Sequence, residues 1–135
     1  MRTLILLTTL LLALVSPARA GDDVATAQSV IRSQAEAFSH NDAAAAYSFA
    51  APAIRNIFPR AETFMSMVQQ GYPPVYRHRT FEFGEARTEG GLIAQRVYIT
   101  DENGEAWEAL YTVEQQPDGS LKITGCSLLK AGQAV

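Results

Sequence analysis

The chain changes character across one stretch, Gln70-Gly71-Tyr72-Pro73-Pro74-Val75-Tyr76-Arg77-His78-Arg79-Thr80-Phe81-Glu82-Phe83. Before it, apolar residues recur at helical spacing; after it, they alternate and are divided by turn signals. Gly71 tolerates positive φ and suits a helix end, and Pro73-Pro74 forbids helix continuation. From Val75 onward the alternation sets Phe81 and Phe83 on one side and Thr80 and Glu82 on the other. A chain that turns from a helical half into a sheet half must lay its helices over one face of that sheet. The class is therefore α+β.

The first twenty residues stand outside this plan. Met1-Arg2-Thr3 is a short positive start, Leu4 to Val15 is almost wholly apolar, and Ala18-Arg19-Ala20 supplies small residues for cleavage before Gly21. A run of twelve residues is too short to span a hydrocarbon layer of about 30 Å. Residues 1–20 thus read as a signal peptide and 21–135 as one exported domain, periplasmic or secreted, free of the membrane after cleavage. Losing Arg2 and Arg19 reduces eleven basic residues to nine against fourteen acidic ones, a net charge of about −5. Such a surface, without basic clusters, argues against nucleic acid and anionic lipid as partners. The lone Cys126 leaves no internal disulfide, and its strand-like setting, Ile123 to Leu129, favours burial.

In the helical half, Val24, Ala27, Ile31, Ala35 and Phe38 form an apolar stripe, with Asp22-Asp23 as its expected cap. Asp42 caps an alanine-rich second helix, Ala43 to Ala50. Pro52 suits the first position of a short turn, Ala53 to Phe58. Ala61 to Gln70 reads as a third helix facing the core with Phe64, Met65 and Val68, and Met67 as gap filler. About three helices are expected.

Four strands follow: about Val75 to Arg87, Leu92 to Thr100, Glu105 to Gln115 and Leu121 to Leu129. The turns between them are Glu89-Gly90-Gly91, Asp101-Glu102-Asn103-Gly104 and Pro117-Asp118-Gly119-Ser120. Asn-Gly is the strongest of these signals, because it supplies the positive φ that tight turns need. Consecutive tight turns give an antiparallel meander.

The run from Phe38 to Tyr47 followed by a long meander resembles the nuclear transport factor 2-like superfamily, which includes ketosteroid isomerase and the SnoaL-like cyclases. More closely, Phe64 to Arg77, with Gly-Tyr-Pro-Pro-Val-Tyr-Arg at its end, and Ile123-Thr124-Gly125-Cys126 resemble a family of small exported bacterial proteins described only as a domain of unknown function. The likeness covers residues 24–129. It implies a cone of curved sheet closed by helices and an exported location, and it brings no reaction with it.

A cone of that kind holds a pocket between helices and concave sheet, so strand parity names the candidate lining. Phe81 and Phe83 bring Arg79, Arg77 and Glu85 to their side; Ile93, Val97 and Ile99 bring Gln95; Trp107 and Tyr111 share a side with Ala109 and Val113. A bulge at Gly84 or Gly125 would invert part of this. Arg79, Gln95, Trp107 and Tyr111 are the ligand-binding candidates, each also readable as rim or core. Tyr72 and Tyr76 are expected to pack the helix-to-strand corner.

No metal-ligand spacing, phosphate loop or nucleophile motif occurs, so no cofactor or metal is expected. A general base needs a buried carboxylate or histidine, and Glu85 alone shares the inner phase. The function read from the sequence is an exported non-enzymatic binding or interaction module for a small apolar or amphipathic ligand. The alternative is an isomerase- or cyclase-like enzyme with Glu85 as its base. The outer sheet face, read as Tyr76, His78, Thr80, Tyr98 and Leu110 among glutamates, would suit a homodimer.

Overall fold

The computed structural model describes residues 19–132. Apart from Arg19 and Ala20, the expected signal peptide lies outside the described residues, as do the last three residues. Helices α1 (Arg19–Ser39), α2 (Ala43–Ser48), α3 (Pro52–Ile57), α4 (Ala61–Gly71) and α5 (Pro73–Tyr76) precede strands β1 (His78–Glu89), β2 (Leu92–Asp101), β3 (Ala106–Gln115) and β4 (Leu121–Lys130). The strands form one antiparallel sheet in the order β1-β2-β3-β4.

The α+β class and the meander hold; the helix count does not. Among the described residues five helices stand where about three were expected. The prolines begin helical turns as well as ending them, because a residue at the first helical position needs no N–H partner. Pro52 starts α3, and Pro73 starts α5, where the sequence had suggested extended chain up to the first strand. The strand accordingly begins at His78 and not at Val75. At the other end α1 is already helical at Arg19, so Asp22 lies inside its first turn instead of capping it. The Asp42 cap is as expected: its Oδ1 accepts from the Ala45 backbone N–H at 3.1 Å.

The expected stripe of α1 is the buried one. Ala27, Ile31, Ala35 and Phe38 are buried against the sheet and the other helices, together with Phe64, Met65 and Val68 of α4. The inner sheet face supplies Ile93, Val97 and Ile99 from β2, Ala109, Tyr111 and Val113 from β3, and Leu121 and Ile123 from β4. Each large apolar side chain buried this way contributes about 1.5–3 kcal/mol. Four alanines, Ala27, Ala37, Ala46 and Ala50, sit in the same core; lacking bulk, they let the helix backbones approach closely.

Two irregularities in β1 re-aim its side chains. Pairing with β2 shifts register between His78 and Thr80 and again between Phe83 and Ala86. The second is a bulge at Gly84-Glu85, after which Ala86 and Thr88 continue the inner face opposite Gln95 and Ile93. β4 is bulged at Thr124, where Val113 pairs with Ile123 but Thr112 pairs with Gly125. The segment between α2 and α3 then closes part of the open edge of β4: Ile123 donates to Phe49 O at 2.9 Å, and Ala51 donates to Ile123 O at 2.8 Å.

The β2–β3 hairpin is built on Asp101. Its Oδ1 accepts from the backbone N–H groups of Asn103 and Glu105, both at 2.9 Å, and its Oδ2 accepts from Trp107 Nε1 at 2.9 Å. Gly104 takes φ +81°, as the Asn-Gly signal required.

Candidate functional site

Between the helices and the β3–β4 side of the sheet lies a partly open cavity of about 280 Å³. α3 contributes Ile54 and, directly after its last residue, Phe58. α4 crosses with Phe64, Met67 and Val68, while the α4–α5 corner brings Tyr72 and Val75. The sheet closes the other side with Tyr111 and the bulged run from Ile123 to Cys126, and α1 contributes Phe38 and Gln34.

The polar groups of this wall are few and uncharged; no Asp, Glu, His, Lys or Arg of the described residues lines it. Tyr111 and Cys126 are cross-strand partners in the β3–β4 ladder. Burial pushes the Tyr111 hydroxyl well above its ordinary value, and burial pushes the Cys126 thiol up to about 12. Removing a charge-stabilising solvent disfavours phenolate and thiolate alike. Both groups are neutral at any physiological pH.

Gln34 is the third polar member. It is 4 % exposed, and its Nε2 donates to the Ala46 carbonyl of α2 at 3.1 Å. A carbonyl only accepts, so this bond fixes which end of the amide faces α2. The Oε1 has no partner among the described residues, yet it is not sealed in, since no fully buried side-chain nitrogen or oxygen there lacks one. Gln34 itself is one of the residues that line the cavity.

Of the residues read as site candidates from the sequence, Tyr111 lines this cavity. Gln95 is completely buried elsewhere, at the β1 bulge. It donates to Gly84 O at 3.0 Å and Arg96 O at 2.7 Å, and accepts from Gln28 Nε2 of α1 at 3.1 Å. Trp107 is half-buried at the hairpin, with Lys130 Nζ 5.7 Å from its ring centroid. Arg79 is exposed beside the same hairpin, its Nη1 near Gly104, because the first register shift takes it out of the inner row. Glu85 lies on the outer face: its carboxylate is 3.6 Å from Arg96 Nε and accepts from Tyr98 OH at 3.1 Å. The bulge at Gly84-Glu85 reverses the parity that had pointed Glu85 inward. Tyr76 is not on the outer sheet face either, since its ring packs on Phe38 with centroids 6.1 Å apart.

Gln34 escaped the sequence reading although a signal was present. It follows Ile31 by three residues and precedes Phe38 by four, which puts a polar side chain on the apolar stripe itself. Nothing local announced Ile54 and Phe58, because the face that a six-residue helix presents is set by its neighbours.

A family model described as "Domain of unknown function (DUF4864)" matches residues 20–134. The chain belongs to that family. No curated protein and no solved structure matches it. In this DUF4864 domain the Gly71-to-Arg77 run is a clamp. Arg77 Nη1 donates to Phe38 O at 2.6 Å and its Nη2 to Asn41 Oδ1 at 2.7 Å, while the guanidinium lies 4.1 Å from the Tyr76 ring centroid. Tyr76 OH also donates to Asn41 Oδ1 and accepts from Gln69 Nε2 at 2.9 Å. The clamp joins the end of α1 to the α4–α5 corner, so that Phe38, Tyr72 and Val75 stand together in the cavity wall.

Proposed function

We propose that this protein is an exported, non-enzymatic binding module that takes a small apolar or amphipathic ligand between its helices and its sheet, on a nuclear transport factor 2-like cone. The observation that carries the reading is the cavity of about 280 Å³ with its apolar, uncharged wall. That volume lies near the lower end of the roughly 300–1,000 Å³ common among ligand pockets, which are likewise mostly apolar with few polar groups. The cone assignment is supported by the order of helices followed by a bulged meander, with the cavity on the helix-covered face. Export is supported by the apolar run Leu4 to Val15 and by a family match that starts at residue 20, next to the expected cleavage after Ala20.

An isomerase- or cyclase-like reaction would need a base at the cavity. Glu85, the carboxylate that the sequence offered for that role, is ion-paired on the opposite face of the sheet. Tyr111 and Cys126 are held protonated, the wrong state for abstracting a proton.

Native mass spectrometry of protein purified from the periplasm tests the reading. The expected spectrum contains adducts of one small apolar compound that an organic wash removes. A preparation that emerges bare, and that leaves an apolar fluorescent probe unbound, would overturn it. A second reading, homodimerisation through the outer sheet face, is favoured by Tyr98, Leu110 and Leu129, which are 40 %, 40 % and 49 % exposed on outward positions around Glu108. The same spectrum reports it as a doubled mass, which Leu110→Glu should abolish.

A further inference from the structure

The cavity has a chemical bias along with its size. We infer that it selects ligands carrying one uncharged hydrogen-bond donor, a hydroxyl or amide N–H, at the end of a short apolar body, and that the donor is received by Gln34 Oε1. This rests on the binding reading above and specifies its ligand.

The inference begins with the orientation of one amide. The bond from Nε2 to Ala46 O commits the nitrogen of Gln34 to α2, and since the residue lines the cavity the oxygen is the amide atom left to serve it. In a residue only 4 % exposed, that oxygen has no partner among the described side chains and backbone. Water can satisfy it while the cavity is empty. A ligand that displaces the water without offering a donor leaves a buried acceptor unpaired, and its affinity falls accordingly. A ligand with a hydroxyl in the same place replaces the water bond with its own.

Charge complementarity excludes the other common head groups. A carboxylate would set acceptor against acceptor, and no cation of the described residues lines the wall to offset its desolvation. An ammonium could donate to Oε1 but would enter without a carboxylate to pair with. The remaining polar side chains of the wall, Tyr72, Tyr111, Thr124 and Cys126, carry hydroxyls and a thiol and add no formal charge, and Thr124 Oγ1 already donates to Thr112 Oγ1 at 2.8 Å. The cavity is about twice the ~150 Å³ apolar cavity that holds benzene, which suits a body of about eight to ten carbon atoms.

Two isomers of equal size separate the head group from the body: 1-octanol donates a hydrogen bond, and heptyl methyl ether does not. Isothermal titration of the purified protein with each, and with octanoate and octylammonium at pH 7, should rank octanol about tenfold tighter than the other three. In Gln34→Met the alcohol and the ether should converge to within about twofold. Should that variant fail to fold, the wild-type side-chain amide resonances of Gln34 serve instead, shifting with octanol and not with the ether. Equal affinity of the two isomers for the wild type, tighter binding of octanoate or octylammonium, or an unmoved Gln34 amide would each overturn the head-group inference while leaving the binding module intact. If none of the four binds, the ether included, the binding reading fails and this inference goes with it.

Discussion

The guanidinium of Arg77 donates to the backbone carbonyl of Phe38, 2.6 Å away and 39 residues earlier in the chain. The last turn of a helix leaves carbonyls without intrahelical partners, and a cation there also suits the negative end of the helix dipole. Asn41, at φ +56°, bends the chain directly after α1 and gives the same guanidinium a second acceptor. Backbone N–H groups of the turn already serve the last carbonyls of α1, and the Arg77 side chain ties that turn to the start of the sheet.

Arg77→Ala should therefore destabilise the fold by about 2 kcal/mol, the range for hydrogen bonds made by a charged group. Arg77→Lys should recover less than half, because a single ammonium cannot reproduce the two-pronged geometry. Urea melts give both numbers. A loss under about 0.5 kcal/mol for the alanine variant would show the clamp to be incidental.

Asp101 and Trp107 make a pH-dependent hairpin. The Trp107 Nε1–H bond and the backbone N–H groups of Glu105 and Asn103 hold the Asp101 carboxyl below the ordinary aspartate value, with Arg79 adding a little. A depressed folded value means that the carboxylate stabilises the fold above the unfolded value of about 3.9 and loses that contribution as pH falls through the folded value. The wild type should lose melting temperature across that acid window, and Asp101→Asn should flatten this part of the profile while lowering stability at neutral pH. Trp107→Phe, which keeps most of the ring and removes the N–H, should cost about 1 kcal/mol at pH 7 and shrink the acid slope too. An unchanged slope in both variants would exclude the pair as its source.

Gln95 was a candidate for ligand binding and sits instead at the β1 bulge, where its amide serves Gly84, Arg96 and Gln28 together. Gln95→Leu keeps the volume and leaves the buried carbonyls without their donor, so a loss of about 2–4 kcal/mol is expected. Amide hydrogen exchange should show the largest loss of protection at residues 83–86. Uniform loss across the whole sheet would mean that the side chain does no more than fill space.

Cys126 should be a slow thiol. With its ionisation pushed up to about 12, the thiolate fraction at pH 8 is on the order of 10⁻⁴, against about a quarter for an ordinary cysteine near 8.5. Iodoacetamide should alkylate it at least about a hundredfold more slowly than free cysteine, and an occupied cavity should slow it further. Alkylation at the free-cysteine rate would place the sulfur in open solvent.

Residue order alone determined the division into helices and meander, since it rests on local physics: three- and four-residue recurrence up to Val68, alternation after His78, and Asn-Gly at a turn that only a positive φ allows. Glycine and proline were read correctly as punctuation but incompletely as grammar. Pro73 breaks α4 and also starts α5, a choice that depends on what its neighbours can bury. The inner face of the sheet was legible wherever the ladder is regular, as at Ile93 to Ile99 and Trp107 to Val113. It was misread at Glu85, where one inserted residue reverses parity; Gly84 permitted that bulge without requiring it. The cavity belongs wholly to the tertiary structure. Gln34, Phe58, Met67 and Cys126 come from four elements and share a wall through helix packing angles and the Arg77 clamp, which are sums of many weak contacts between residues distant in the chain.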